Sequence, residues 1–143
     1  MRRTRGLAAA ALLVSLHCAL AEEGPAALSW ETLAQVSVTH QRGRYAPKFS
    51  TQLIALDKKA VTLKGFMVPF DEGLAQTRFL LSAEPAECPD CLSATAEQFA
   101  EVVAKTPLKY VIDAITVCGT LELVRDDSGA LLYRLTEAVM VDK

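Results

Sequence analysis

Val61-Thr62-Leu63-Lys64-Gly65-Phe66-Met67-Val68-Pro69-Phe70 is the stretch on which the fold turns. Val61, Leu63, Gly65, Met67 and Pro69 alternate with Thr62, Lys64, Phe66, Val68 and Phe70, which is the period of a β-strand. Gly65 in the middle of so regular a run marks a bulge or a sharp bend, and Pro69, which has no N–H to give to a ladder, marks the exposed end. Asp71-Glu72-Gly73 then supplies a turn. The Phe79-Leu80-Leu81 run within residues 77–82 predicts a buried strand that returns antiparallel, so the two form a hairpin.

Downstream, Ser93 or Thr95 can cap a helix over residues 95–104, because Phe99, Val102 and Val103 recur at helical spacing and Pro107 stops the run. Strand patterns come next at 108–113, at 115–124 with Gly119 inside, and at 131–141 beyond an Asp126-Asp127-Ser128-Gly129 turn. About five strands, bent at glycines, with one helix inserted between the second and third, predict a mainly β chain. The architecture expected is a small, partly open Greek-key barrel of the oligonucleotide/oligosaccharide-binding (OB) type. Upstream, Asp57-Lys58-Lys59 is a polar turn, residues 41–48 read as loop around Gly43 and Pro47, and Ser29 caps a helical turn over 30–36. Trp30, the only tryptophan, is expected to anchor the core. Residues 22–28 read as a flexible leader, so that 22–48 is a leader with a short helical segment and 49–143 is the OB-like domain.

The first 21 residues read as a targeting segment. Arg2, Arg3 and Arg5 are followed by an apolar run over 7–16 and by Ala19-Leu20-Ala21, the small-residue pattern of a signal peptide cleaved near Ala21. His17 before Cys18 is larger than a lipid-attachment site accepts, which favours simple cleavage. No later segment reaches the ~18 apolar residues of a spanning helix, so the mature chain is expected to carry no transmembrane segment and to be periplasmic. Of 15 basic and 17 acidic residues, cleavage removes three arginines and no acid, leaving 12 against 17 and a balance of −5. An acidic chain that is 6% aromatic is expected to bind no nucleic acid.

Four cysteines fall to three on cleavage, an odd number for an oxidising compartment. Cys88-Pro89-Asp90-Cys91 can chelate a metal ion, close a small disulfide ring or present a reactive thiol. For a metal, Cys88 and Cys91 need further ligands, and Cys118, Asp90, Glu87, Glu84 and His40 are the candidates. Thiolates suit zinc or copper, and Met67 and Met140 are better placed as core residues than as copper ligands. Glu84, Glu87, Asp90, Glu97 and Glu101 fall between Arg78 and Lys105 with no basic residue among them, so the cysteines lie in an acidic run. For redox chemistry, the order strand, CxxC, helix, strand imitates the active-site half of thioredoxin, but the all-strand pattern from Ile115 onward does not. His40 is the sole histidine of the mature chain, so no Ser-His-Asp constellation can be assembled.

Taken in order, Lys64-Gly65-Phe66-Met67-Val68-Pro69, Arg78-Phe79-Leu80-Leu81, Cys88-Pro89-Asp90-Cys91-Leu92 and Arg125-Asp126-Asp127 through Tyr133-Arg134-Leu135 resemble the bacterial exported family called domain of unknown function 3299. The likeness covers residues 49–141. It implies a small periplasmic β-rich domain, associated with transport systems and metal handling, in which Cys88 and Cys91 stand at the family's paired-cysteine positions. Cys118 stands where the family has a small residue. The expectation is a non-enzymatic accessory protein that binds zinc or copper through Cys88 and Cys91, with Cys118, in support of a membrane transport complex or another periplasmic protein. The alternatives are a thiol-disulfide oxidoreductase using the same pair, and a protein-binding module with a structural disulfide.

Overall fold

The computed structural model describes residues 24–85, 95–125 and 131–141. Along the chain these form β1 (Ala26–Ala27), α1 (Trp30–Leu33), β2 (Val36–Gln41), β3 (Arg44–Phe49), α2 (Thr51–Leu56), β4 (Ala60–Pro69), β5 (Ala75–Ser82), a 3₁₀ turn (Ala96–Gln98), β6 (Phe99–Lys109), β7 (Ile115–Leu123) and β8 (Tyr133–Val141).

The alternating stretch is β4, with Val61, Leu63, Gly65 and Met67 turned inward. From Ala60 to Gly65 it pairs antiparallel with β7, and from Phe66 to Pro69 with β5. The change of partner falls at Gly65, where the chain passes so close to β5 that an added Cβ would lie 2.5 Å from the Ser82 carbonyl oxygen. β5 pairs antiparallel with β6, β6 parallel with β8, and β8 antiparallel with β7, so the ring β4-β5-β6-β8-β7 closes on β4. This is the expected mainly β, OB-type barrel, and closure leaves no open edge within it. β7 alternates without a break, burying Ile115, Val117, Gly119, Leu121 and Leu123. In β8 a bulge at Glu137, φ 51°, reverses the alternation, so that Ala138 follows Tyr133 and Leu135 into the core opposite Gly119.

The helix expected over 95–104 is absent: one 3₁₀ turn is followed at once by β6. The start signal is real but short, since Thr95 N–H donates to Gln98 Oε1 at 3.0 Å and Gln98 N–H to Thr95 O at 2.9 Å. Phe99, Val102 and Val103 satisfy helical spacing by coincidence. In the strand, Ala100 and Val102 enter the core, while Phe99 and Val103 lie on the outer side, half-buried. Adjacent β-branched valines fit a pleated surface better than a helix. Pro107 sits in the register break between Arg78↔Val103 and Gln76↔Leu108, where no ladder N–H is required. The strand expected at 108–113 is the end of β6, which stops at Lys109.

Two upstream readings also change. Residues 41–48 are not loop; they belong to the antiparallel ribbon β2–β3, joined by Arg42-Gly43 with φ of 53° and 78°, both central residues left-handed as in a type I′ turn. The leader is ordered from Ala26, because Ala26 and Ala27 pair parallel with Val61 and Thr62. α1 and α2 close the barrel end where β4 and β8 begin, each capped by a serine: Ser29 Oγ accepts from Thr32 N–H and Ser50 Oγ from Leu53 N–H, both at 3.2 Å. Leu33 and Leu53 are fully buried there. Trp30 is half-buried and donates from Nε1 to Lys64 O at 2.8 Å.

Tyr133 locks this plug to the barrel. Its ring packs on Phe49, centroids 5.9 Å apart, and its hydroxyl donates to the Leu33 carbonyl at 2.5 Å. Burial, with a smaller contribution from the charge of Glu97, pushes the phenol above its ordinary value of 10.0. Tyr133→Phe leaves the Leu33 carbonyl unpaired inside the protein and is expected to lower stability by about 1–2 kcal/mol. The unfolded chain releases the phenolic proton near pH 10 while the folded chain retains it, so stability falls as pH rises above 10. Urea titrations at pH 8 and above pH 10 check both points: the loss on alkalinisation should be smaller in the phenylalanine variant.

Candidate functional site

Cys88, Cys91, Glu87 and Asp90 lie outside the described residues, on the connection between β5 and β6. The stems of that connection are described and fixed. Ser82 pairs with Phe99, and Ala83 N–H donates to Gln98 O at 3.0 Å, which carries the ladder one step beyond the strands. Glu84 N–H donates to Ser82 Oγ at 3.3 Å, and the 3₁₀ turn packs against α1 with Ala96 against the core. Both stems are therefore anchored at the barrel end that α1 and α2 close. Glu84 on one stem is exposed and Glu97 on the other is half-buried.

The acidic run is only partly what the sequence suggested. Glu101 is 2% exposed and gives one carboxylate oxygen to Arg78 and the other to Arg134. Register explains it: Glu101 lies opposite Leu80 on β5 and Arg134 on β8, Arg134 lies opposite Glu122 on β7, and Arg78 reaches in diagonally. Lys58 extends the row with an ion pair to Glu122 at 2.7 Å. Burial acts to raise the Glu101 carboxyl, but the hydrogen bonds and charges of Arg134 and Arg78 outweigh it and hold the group below its ordinary range. Glu101 is therefore neutralised by its two arginines and does not belong to an uncompensated acidic run.

Cys118 faces outward and half-buried on β7, opposite Thr62 of β4 and Val139 of β8. β4 separates it from β5, and β8 separates it from β6, so it stands across the barrel from the two strands that carry the cysteine loop. His40 is on the exposed ribbon, its ring 4.8 Å from that of Tyr45. Among the described residues, no group of three His, Cys, Asp or Glu side chains could hold a metal ion, so neither Cys118 nor His40 is joined there by a ready ligand set. The thioredoxin-like order also fails at this point, because the cysteines lead into a 3₁₀ turn and a strand. No α-helix over 95–104 offers its N-terminus to lower a thiol pKa.

Two features escaped the sequence. The Arg78–Glu101–Arg134 contact joins residues 23 and 33 apart and arises only from strand register. The ribbon had a local signal, since Val36, Val38 and His40 alternate on one side of Arg42-Gly43 and Tyr45, Pro47 and Phe49 on the other, but Arg-Gly is not a usual type I′ pair. Among the described residues, no helix is long and apolar enough to cross a membrane.

No family model and no curated protein sequence matches the chain. Its fold is similar to that in the crystal structure of a DUF3299 family protein from Pseudomonas aeruginosa, with a TM-score of 0.61 over 85% of this chain and 99% of the other, at 17% sequence identity. The resemblance carried by the sequence motifs is thus met by a likeness of fold.

Proposed function

We propose that the protein is an exported, non-enzymatic accessory barrel that binds a thiophilic transition metal, zinc or copper(I), through Cys88 and Cys91 in support of a transport system. The anchored stems carry this reading. With Ser82–Ala83 tied to Gln98–Phe99, the connection begins and ends at fixed points, which reduces the chain entropy lost when two thiolates converge on one ion. Glu87 and Asp90 beside the cysteines, with Glu84 and Glu97 on the stems, supply carboxylates and a negative field that favours a cation. Cys118 is left out of the ligand set because it stands across the barrel from the strands that carry the loop. The signal-peptide pattern over residues 1–21 supports export.

The test is competition for zinc against a chromophoric chelator at neutral pH, with native mass of the same sample. The wild type is expected to bind one zinc. Cys88→Ser with Cys91→Ser should weaken binding at least ~100-fold, and Cys118→Ser should leave it unchanged. Retention of tight binding by the double serine variant overturns the proposal. So does a metal-free wild type in which Cys88 and Cys91 resist alkylation as a disulfide and take up no zinc after reduction.

A further inference from the structure

The two ends of this barrel carry complementary surfaces. At the end closed by α1 and α2, the β2–β3 ribbon extends with residues 37–40, 42–46 and 48 exposed or nearly so, and its Arg42, Arg44, Lys48 and His40 are accompanied by no carboxylate anywhere in 36–49. Register divides it into two faces. Val38, His40, Tyr45 and Pro47 share the apolar and aromatic face, while Ser37, Thr39, Arg44 and Lys48 share the other. Such a ribbon is marginal by itself, and Val38 and Tyr45 are 41% and 42% exposed on it.

The opposite end has the converse character. There the β4–β5 turn at 70–74 and the β6–β7 connection at 110–114 are joined by Tyr110 N–H donating to Leu74 O at 2.7 Å. The buried Gln76 holds the turn from beneath, its side-chain amide donating to Asp71 O at 3.1 Å and Gly73 O at 2.8 Å. Phe70, Leu74 and Ile112 are 51%, 69% and 82% exposed, and Phe70 and Leu74 line an open depression of about 480 Å³. Asp71, Glu72 and Asp113 are the only charged groups within the two connections, with Lys109 and the Glu101-bound Arg78 beside them. Of the eight exposed large hydrophobic residues among those described, five lie on the ribbon or on these connections.

We propose that these surfaces meet between copies: the basic, aromatic ribbon of one chain docks on the apolar, acidic connections of the next. The two surfaces occupy opposite ends of the same barrel, so the contact is head-to-tail and a chain of copies can extend without closing. Two ribbons would repel each other, which excludes a symmetric ribbon–ribbon dimer as the favoured contact. The Gln76 and Tyr110 hydrogen bonds brace the acidic connections and limit the ordering required on that side of the contact.

Sedimentation velocity on residues 22–143, with chelator and reductant present so that neither metal nor disulfide bridges copies, tests this. At low salt the average mass should rise with protein concentration beyond that of a dimer, and salt should suppress the rise. Arg42→Asn with Arg44→Gln and Tyr45→Ser removes the ribbon surface while keeping an Asn-Gly turn, and Asp71→Asn with Glu72→Gln and Leu74→Ser removes the other surface. Each variant should associate roughly tenfold or more weakly than the wild type. Mixed, they should form a species that stops at one copy of each, because only one intact pair of surfaces remains. A monomeric wild type at every concentration overturns the proposal, as does association unchanged in the ribbon variant. Ribbon-dependent binding to anionic phosphatidylglycerol vesicles by a chain that stays monomeric also overturns it, by assigning the ribbon to a lipid surface instead.

Discussion

Gly65→Ala is expected to lower the stability of the barrel by about 3 kcal/mol, at the upper end of what overpacking does. For a domain of this size that is a fall of roughly 12 °C in melting temperature. The new methyl would lie 2.5 Å from the Ser82 carbonyl oxygen, 2.9 Å from Leu81 Cγ and 3.1 Å from Trp30 Cζ2. Two of these neighbours, the leucine and the tryptophan, are side chains with some freedom, but the nearest is backbone held in the Phe66↔Ser82 pair. Relief therefore requires β4 and β5 to separate where β4 exchanges one partner for the other. Gly119→Ala is a milder case: its methyl would lie 2.9 Å from Thr136 O and 3.3 Å from Ala138, beside a bulge at Glu137 that can adjust, and about 1–2 kcal/mol is expected. Urea titration followed by Trp30 fluorescence reads both, and it reads Gly65 directly because the indole is one of the groups displaced. A Gly65→Ala midpoint equal to that of the wild type would show that β4 does not pass this close to β5.

The same residue shows why much of the fold was legible in the sequence. A glycine inside a strict two-residue alternation has few readings other than a bend, and Gly65 and Gly119 supply the two sites of close strand approach in the barrel. β4 and β7 were visible because each buries one face and leaves the other in contact with solvent or polar groups, which writes period two into the residues, while β5 showed itself as the apolar run Phe79-Leu80-Leu81 and β8 as a β-prone segment after a turn. β6 was not, because its Phe99, Val102 and Val103 satisfy a helical spacing as well as a strand one, and a genuine Thr95–Gln98 start signal precedes them. Local pattern could not weigh the neighbouring strands β5 and β8 that claim both edges of β6. The ribbon was missed for the opposite reason: with most of it exposed, burial imposes no strong pattern, and the turn residues Arg42-Gly43 are uncommon in that role. At the candidate site, the cysteine pair was plain from spacing, but the charge around it was not. Reading Glu101 as part of an uncompensated acidic run failed because its partners Arg78 and Arg134 arrive from two other strands.

Glu101 leads to the second large effect, in which removing the two arginines should do more damage than removing the carboxylate. Arg78→Ala with Arg134→Ala leaves a carboxylate that is 2% exposed without either partner, and a loss of about 3–5 kcal/mol is expected. Glu101→Gln leaves two guanidinium groups whose side chains are 62% and 37% exposed and can be hydrated where they stand, and Arg134 keeps Glu122 at 3.9 Å. Its loss should be smaller, about 1–3 kcal/mol. Acid separates them further. Because the folded Glu101 carboxyl lies below its ordinary value of 4.5, it contributes stability that is fully present above pH 4.5 and lost as pH falls through the lower folded value. Glu101→Gln should therefore flatten the acid limb of the stability profile. It should not abolish that limb, since Asp57 is also held low: burial acts to raise it, but the Leu123 N–H and Arg125 prevail. Urea titrations from pH 7 to pH 3 on the wild type and both variants decide the matter. If the glutamine variant is the less stable of the two at neutral pH, the arginines rather than the carboxylate are the groups that cannot be left alone, and Glu101 is less enclosed than its contacts imply.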